Sequence, residues 1–222
     1  MKPIAIIPAR GGSKRLPRKN ILPLNGKPML AYIIIAAIKS KVFEKVIVST
    51  EDREISTIAL KYGAEVFLRD ASLAKDSSTV VEVCLDVIKQ FKIDNFCCLY
   101  ATSALLSSEV IRASYQKFIS ESPSVLMGVS CYNYSPVQAL KIDKYNNAAL
   151  LLKDFEKIQS QLYPKLRVSN GTFCWAKKKS FMIEETFYSC GLKVFLVPEN
   201  QVSDINTIED YVILKKKIER II

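Results

Sequence analysis

The fold is decided by the opening stretch Ile4-Ala5-Ile6-Ile7-Pro8-Ala9-Arg10-Gly11-Gly12-Ser13-Lys14-Arg15-Leu16-Pro17-Arg18-Lys19-Asn20. Its first four residues are a continuous apolar run that ends at a proline, which is typical of a buried strand in a parallel sheet. Five of the ten residues from Arg10 to Lys19 are basic, and Gly11-Gly12 allows a tight turn whose amides point at an anion. Because ligands of such sheets lie beyond the carboxyl ends of the strands, the loop predicts a phosphate-binding cradle there.

This loop differs from the two common phosphate-binding motifs. The P-loop pattern Gly-x4-Gly-Lys-Ser/Thr and the dinucleotide pattern Gly-x-Gly-x-x-Gly are both absent from it. In the cradle, Arg10 can bond a phosphate through two N–H groups, whereas Lys14 and Lys19 act as point charges. The alternative is an ordinary solvated basic loop, since basic runs are common on protein surfaces. The position directly after the first strand favours the cradle.

Strands and helices alternate along the rest of the chain. The pattern predicts strands at residues 45–49, 64–68, 96–100, 125–130, 171–176 and 193–197. It predicts helices at residues 28–39, 51–62, 79–91, 108–120 and 208–221, the second of them capped by Thr50. This alternation predicts an α/β fold with a mostly parallel sheet flanked by helices. The length of 222 residues fits a single domain, residues 1–222.

The segment 131–166 has a different pattern. It holds four tyrosines, an Asn146-Asn147 turn signal and a weak period of two. This pattern predicts irregular β structure outside the main sheet, and we expect the segment to form a protruding, β-rich dimerisation arm. The lysine runs at 177–179 and 215–217 are interpreted as solvated faces.

Composition excludes several classes of protein. With 49% hydrophobic and 24% charged residues, the chain resembles ordinary globular proteins. The longest apolar run, residues 29–38, is too short to cross a bilayer, and no signal peptide is recognised, so we expect a cytoplasmic protein. The sequence contains no histidine, which excludes histidine-based zinc sites and Ser-His-Asp catalysis. The six cysteines are expected to be reduced thiols; a redox switch, the alternative, would involve Cys97-Cys98.

The net charge of +10 is concentrated in one place. Residues 1–27 hold seven bases and no acid, and the remainder holds 25 bases against 22 acids, a net charge of +3. A local cluster favours a compact polyanion over a long nucleic-acid track. An RNA-binding protein, the alternative that charge suggests, would need aromatic residues interleaved with its basic surface, and this pattern is missing. We therefore expect no nucleic-acid partner and no membrane partner.

The opening stretch resembles the first motif of the N-acylneuraminate cytidylyltransferases, also called CMP-sialic acid synthetases. Further motifs of that family follow in the same order: Asn25-Gly26-Lys27-Pro28, 48–52, 62–66, 68–70 and Asp204-Ile205-Asn206-Thr207-Ile208-Glu209-Asp210. Residues 97–100, Cys-Cys-Leu-Tyr, are most similar to the pseudaminic acid branch of the family. The resemblance spans nearly the whole chain and implies a Rossmann-like sheet of the nucleotide-diphospho-sugar transferase type.

The resemblance also implies a reaction. The anomeric hydroxyl of a nine-carbon 2-keto sugar acid attacks the α-phosphate of CTP, diphosphate leaves and a CMP-sugar forms, with Mg²⁺ assisting. The sugar acid would be pseudaminic acid or a sialic or legionaminic relative, and the enzyme would be a homodimer. Such chemistry needs positioning and charge neutralisation more than a covalent nucleophile, so a chain without histidine can perform it. The alternatives are a 3-deoxy-manno-octulosonate or other sugar cytidylyltransferase, and a non-catalytic nucleotide-binding relative.

By this resemblance, individual residues acquire expected roles. The nucleotide would be bound by Ala9, Arg10, Gly11, Gly12, Ser13, Lys14, Lys19, Asn20, Arg69, Asp76 and Ser78. The sugar would be bound by Tyr100, Thr102, Asn170 and Gly171, and the segment 131–166 would contribute to the dimer contact or to the sugar pocket. Catalysis would rest on Arg10, Lys19 and Asp204, and Mg²⁺ would be held by Asp204 and Asn206.

Three of these positions carry alternatives. Asn206 stands where the family has a second aspartate, so metal binding should be weaker; the alternative is that Asn206 acts through a water. Asp204 is also a candidate cap for the helix that begins at Ile208. Tyr100 is either a core aromatic or a pocket wall. The family's arginine for the sugar carboxylate is replaced near Gln159-Ser160, and the candidates to substitute as the cation are Lys165 and Arg167. The alternative is that both belong to a solvated strand face.

Overall fold

The computed structural model describes residues 1–219. The strands are β1 (Ile4–Pro8), β2 (Pro23–Leu24), β3 (Lys27–Pro28), β4 (Lys45–Thr50), β5 (Glu65–Leu68), β6 (Asn95–Leu99), β7 (Val125–Ser130), β8 (Leu140–Ile142), β9 (Ala148–Leu150), β10 (Val168–Lys177) and β11 (Leu192–Leu196). The helices are α1 (Met29–Ser40), α2 (Arg53–Lys61), α3 (Val80–Lys89), α4 (Ser108–Glu121), α5 (Lys178–Glu184) and α6 (Ile208–Glu219). The sequence predicts that the last helix ends at Ile221, which lies outside the described residues.

Seven strands form one sheet in the order β11-β7-β10-β6-β1-β4-β5. Strand β10 runs antiparallel to both of its neighbours, and the other neighbouring pairs are parallel. The mostly parallel sheet predicted from the sequence is therefore confirmed. Because parallel strands end at the same edge, the loops that follow β1, β4, β5 and β6 converge there.

The sheet is buried on both faces, which explains its continuous apolar runs. Ala5 and Ile7 of β1 face the core that includes residues of α1, α2 and α4, whereas Ile4 and Ile6 face the core that includes residues of α3 and α5. Full burial of an isoleucine side chain contributes about 1.5–3 kcal/mol. The apolar run Ile4–Ile7 therefore contributes side chains to both cores.

The adjacent cysteines of β6 point to opposite faces of this sheet. Cys97 belongs to one core and Cys98 to the other, and both side chains are fully buried. Burial raises the pKa of the Cys97 thiol well above its usual value. Thiol oxidation needs an accessible thiolate, so the structure does not support a redox switch at this pair. All six cysteines are free.

A third apolar cluster lies under the opening loop. It joins Leu16 of the loop and Met29 of α1 to Ile205, Leu214 and Ile218 at the carboxyl-terminal end of the chain. Helix α6 and the segment before it therefore pack against the apolar side of the opening loop. This packing brings residues about 190 positions apart to the same edge of the sheet.

One local prediction is wrong, and another is incomplete. Asp52, rather than Thr50, caps α2, because its Oδ1 accepts from the backbone N–H of Ile55 at 3.0 Å. The lysine run at 177–179 is not simply a solvated face. Lys177 Nζ donates to Ser122 O and Lys178 Nζ donates to Phe91 O, each at 2.7 Å. Both carbonyls follow a helix carboxyl end, where a cation is favourable.

Residues 131–166 lie outside the main sheet, as predicted. They form the β8–β9 hairpin and several short 3-10 turns. The segment exposes large apolar side chains, including Tyr134 at 89% and Leu162 at 69% of their surface. Among the described residues, no helix has the length and apolar character needed to cross a membrane.

Candidate active site

Two adjoining cavities lie at the carboxyl edge of the sheet. The first, the edge cavity, has a volume of about 260 Å³. Its lining includes Arg10, Lys19, Asn20, Arg69, Asp76, Ser78, Tyr100 and Thr102. The second, the outer cavity, has a volume of about 380 Å³ and is lined by Arg10, Ser13, Lys14, Arg15, Lys19, Asn20 and Asp76. The two cavities share four residues, so ten of the predicted site residues surround one continuous region.

The opening loop is fastened to the start of α2 on one side. The Gly11 backbone N–H donates to Glu51 Oε1 at 2.7 Å. Glu51 Oε2 in turn accepts from Arg69 Nε at 3.0 Å and Nη2 at 2.8 Å. Among these residues, the sequence assigned a role to Gly11 and Arg69 but missed Glu51.

Arg18 forms a second fastening that the sequence also missed. Its guanidinium bonds both oxygens of Asp52 and, at 2.5 Å, Glu54 Oε2. The Arg18 side chain lowers the pKa of the Asp52 carboxyl below its usual value. Arg18 therefore anchors the loop rather than the ligand, although it belongs to the same basic run. The acidic residues at the start of α2 were a sequence signal for this ion pair.

Asp76 bonds two cations of the loop directly. Its Oδ1 lies 2.9 Å from Arg10 Nη1 and its Oδ2 lies 2.5 Å from Lys14 Nζ. The Lys14 hydrogen bond, with a smaller contribution from Arg10, lowers the pKa of the Asp76 carboxyl. In this structure a carboxylate thus holds the side chains that are predicted to hold phosphate.

Lys19 joins the loop to the segment that carries Asp204. Its Nζ donates to Ile205 O at 2.7 Å, across 186 residues of sequence. Burial lowers the pKa of the Lys19 ammonium, and the nearby Asp204 charge opposes this effect. Ser203 Oγ donates to Thr102 O at 2.8 Å and fixes the same segment to the loop after β6.

The structure resolves the alternative role of Asp204. The start of α6 is capped by Thr207 and Asp210, because Thr207 Oγ1 accepts from Asp210 N at 3.3 Å and Asp210 Oδ2 accepts from Thr207 N at 2.9 Å. Asp204 is therefore not the cap, and its exposed side chain accepts from Asn206 Nδ2 at 2.8 Å. This leaves the Asp204 carboxylate available for a ligand.

The donor set at Asp204 is sparse for a metal. Within residues 1–219, no group of three or more histidine, cysteine, aspartate or glutamate side chains is placed to hold an ion. Mg²⁺, however, is usually bound through one or two carboxylates together with substrate phosphates and water. One aspartate and one amide next to the basic opening loop fit that mode of binding.

Tyr100 and Asn20 shape the edge cavity. Tyr100 lines it and also packs against the core beside α3, so the pocket-wall and core alternatives both hold. Burial raises the pKa of its phenol. Asn20 Nδ2 donates to Arg10 O at 2.9 Å and stabilises the turn of the loop from inside. Ala9 is fully buried beneath the loop, and its N–H donates to Ser49 O at 2.9 Å.

The predicted sugar residues Asn170 and Gly171 lie apart from the edge cavity, in the irregular part of β10. Asn170 Nδ2 donates to Ser130 Oγ at 3.1 Å, and its Oδ1 accepts from Thr172 Oγ1 at 2.6 Å. Ser103 Oγ donates to Gly171 O at 3.1 Å, which ties this strand to the loop that carries Thr102. Ser130 also lines a cavity of about 770 Å³ at the base of the arm. Lys165, near the last residue of the arm, and Arg167, just after the arm, are both exposed.

Comparison with known proteins identifies the family. The sequence model described as cytidylyltransferase matches residues 4–214. The chain belongs to the cytidylyltransferase family. Among curated cytidylyltransferases, it is 38% identical to the pseudaminic acid cytidylyltransferase of Campylobacter jejuni, over 95% of this chain and 93% of that one. It is 34% identical to the CMP-N,N'-diacetyllegionaminic acid synthase of Legionella pneumophila, over 99% and 97%. The N-acylneuraminate cytidylyltransferase of Streptococcus agalactiae is 30% identical, over 96% and 52%.

Solved cytidylyltransferases share the fold. A CMP:2-keto-3-deoxy-manno-octonic acid synthetase complexed with CTP matches with a TM-score of 0.77 at 14% identity, and each chain is covered completely. A cytidylyltransferase from Leptospira borgpetersenii matches with a TM-score of 0.63 at 23% identity, over 99% of this chain and 87% of that one. These likenesses confirm the predicted nucleotidyltransferase-type fold.

Proposed function

We propose that this cytidylyltransferase transfers CMP from CTP to the anomeric hydroxyl of pseudaminic acid and releases diphosphate. The observation that carries the proposal is the convergence of Arg10, Lys14 and Lys19 on two adjoining cavities at the carboxyl edge of the sheet. The choice of sugar acid rests on the 38% identity to the Campylobacter jejuni enzyme. Pseudaminic acid and its relatives are nine-carbon 2-keto sugar acids, so the anomeric hydroxyl is the nucleophile.

The residues around the cavities fit this chemistry. The hydroxyl oxygen of the sugar attacks the α-phosphorus and its proton passes to water. The bond from phosphorus to the bridging oxygen breaks, and both electrons of that bond leave with diphosphate. Arg10, Lys14 and Lys19 would neutralise the triphosphate and the charge that develops on diphosphate. The donors on the cavity wall would hold the α-phosphorus in line with the sugar oxygen, which lowers the entropic part of the barrier.

A magnesium ion completes the proposal. Asp204 and Asn206 would hold it at the end of the segment that Lys19 and Ser203 fix to the loops of the site. When bound, Mg²⁺ supplies charge neutralisation at the phosphates and makes the sugar hydroxyl more acidic. Asn206 contributes a neutral oxygen where a second carboxylate would bind more strongly, so a millimolar Mg²⁺ requirement is expected.

The arm supports a proposed homodimer in the cytoplasm. Residues 131–166 expose Tyr134, Leu140, Tyr145 and Leu162 by more than half of their surface, and apolar exposure on this scale is typical of a protein–protein contact. Six free thiols and the use of CTP are consistent with a reducing compartment. Sedimentation equilibrium at micromolar concentration measures the assembly: a mass near 50 kDa supports the dimer, and a mass near 25 kDa contradicts it.

Diphosphate release tests the activity. The purified chain is mixed with CTP, Mg²⁺ and, separately, pseudaminic, legionaminic, sialic and 3-deoxy-manno-octulosonic acid, and the product is identified by mass. We expect the highest kcat/KM with pseudaminic acid and a CMP-sugar of matching mass. Preference for another acid would overturn the choice of sugar. CTP binding without turnover on all four acids would show a non-catalytic relative.

A further inference from the structure

The start of α2 places one carboxylate between two walls of the nucleotide site. Glu51 follows β4, the middle strand of the neighbours β1, β4 and β5. We propose that Glu51 is a positioning residue, which fixes the glycine loop after β1 and Arg69 after β5 relative to each other. The proposal rests on the proposed function in one respect, since it takes the edge cavity as the CTP site.

The backbone brings the three segments together in register. Ala9 N–H donates to Ser49 O at 2.9 Å, and Arg69 N–H donates to Thr50 O at 3.1 Å. These two bonds continue the strand pairing as far as the last residues of β4. Glu51 is the next residue, and its two carboxylate oxygens bond the neighbouring segments just beyond the last backbone hydrogen bonds of β4.

Each oxygen of Glu51 bonds a different wall. Oε1 accepts from the Gly11 N–H at 2.7 Å, and Oε2 accepts from Arg69 Nε and Nη2 at 3.0 and 2.8 Å. A glutamine has only one acceptor oxygen and no charge, so it cannot satisfy both walls in this way. The charge-assisted bonds are also stronger than their neutral counterparts.

Burial makes the carboxylate necessary for Arg69. The Arg69 side chain is 3% exposed and the Glu51 side chain is 21% exposed. A guanidinium in such surroundings needs a partner charge, and the other acids at this helix start bond Arg18. Of the five N–H donors of a guanidinium, Glu51 takes two, which leaves three for the cavity that Arg69 lines. Glu51 thereby decides which edge of Arg69 a nucleotide meets.

The close approach of Gly11 to the start of α2 also requires that residue 11 has no side chain. A Cβ atom at Gly11 would lie 2.9 Å from Asp52 Cγ and 3.0 Å from Asp52 Cβ, closer than side-chain carbons approach. The loop backbone therefore needs glycine here to come within reach of Glu51. Because the Gly11 N–H is directed at Glu51, it is not available to a phosphate.

Kinetics of Glu51→Gln and Glu54→Gln test the proposal. Both variants remove one charge from the start of α2, but Glu54 bonds Arg18 and neither Gly11 nor Arg69. We expect Glu51→Gln to raise the KM for CTP by about tenfold or more, because it weakens charged hydrogen bonds on both walls. The KM for the sugar acid should stay within about twofold. Glu54→Gln should also leave both KM values within about twofold, because Arg18 keeps its bonds to both oxygens of Asp52 and still anchors the loop. A merely structural role would lower the active fraction and leave the KM for CTP unchanged, and that result would overturn the proposal.

Amide exchange in the unaltered full chain provides a second measurement, which decides the matter where Glu51→Gln does not fold. The Gly11 amide should exchange with solvent at least about a hundredfold more slowly than in an unstructured peptide of the same sequence. Exchange at the peptide rate would contradict the proposal. Calorimetric titration with CTP separates this proposal from the proposed function. If CTP binds without turnover, the activity assignment fails, and Glu51 is then judged by the Kd for CTP. If CTP does not bind, both fail.

Discussion

Replacement of Lys19 by methionine tests the link between the proposed phosphate cradle and the segment that carries Asp204. Methionine keeps most of the length and the apolar stem of the side chain but removes the ammonium. In the structure Lys19 Nζ donates to Ile205 O at 2.7 Å, beside Asp204 and on the wall of both cavities. The substitution therefore removes a charge that is proposed to bind phosphate, and it releases the segment that is proposed to hold the metal.

The expected magnitude follows from that single hydrogen bond. Hydrogen bonds to charged groups contribute about 1.5–3 kcal/mol, which corresponds to a loss of about 10- to 150-fold in kcat/KM for CTP. Loss of the phosphate contact adds to this, so the lower figure is a minimum. The assay is diphosphate release at a fixed concentration of sugar acid and Mg²⁺, with circular dichroism to show that the variant is folded.

Lys27→Met is the matched control. Lys27 lies in the same basic segment, with its Nζ over the ring of Tyr32 at 5.8 Å from the centroid, and it does not line either cavity. We expect its kcat/KM to stay within about threefold of the parent, as for a half-buried cation–aromatic contact away from the site. A folded Lys19→Met variant with kcat/KM within twofold of the parent would refute the role of Lys19.

The pH profile gives the same prediction a second measurement. Burial lowers the pKa of Lys19 below that of an ordinary lysine, so its cationic form is lost earlier as pH rises. We expect kcat/KM for CTP to fall on the alkaline side as Lys19 loses its proton. Lys19→Arg retains its charge at high pH, and the alkaline fall should move to higher pH in this variant. An identical alkaline limb in both proteins would assign it to another group.

Three further outcomes follow from contacts of the described residues. Asp76→Asn frees the two loop cations that Asp76 now bonds, so affinity for inorganic triphosphate measured by calorimetry should rise by about two- to fivefold; a fall would show that Asp76 holds these cations in the position that binds the ligand. Asn206→Asp adds a carboxylate beside Asp204, so the Mg²⁺ concentration for half-maximal activity should decrease; an unchanged value would place Asn206 away from the metal. Ser114→Ala leaves the buried Trp175 indole N–H without its 2.9 Å acceptor, which should lower the free energy of unfolding by about 1–3 kcal/mol in urea titrations; a smaller loss would mean that the core relaxes around it.

The sequence by itself determined much of the architecture. The run Ile4–Ile7 is apolar at every position because β1 is buried on both faces, so its pattern alone identifies a central parallel strand. The basic glycine loop after it predicted the region where the two cavities lie. Residues 131–166 stood apart because their period is neither that of a helix nor that of a buried strand. These features depend on residues that are close together in the sequence, so the sequence pattern alone reveals them.

Only the tertiary structure decided which side chains meet. The sequence could not show that β10 runs antiparallel between β7 and β6, because strand order depends on connections and not on the period within a strand. It could not show that Glu51 bonds Gly11 and Arg69, or that Lys19 reaches Ile205, since these partners are 18 to 186 residues apart. Charge and residue type identified the candidates. The register of β1, β4 and β5 and the packing of α6 set the distances between them.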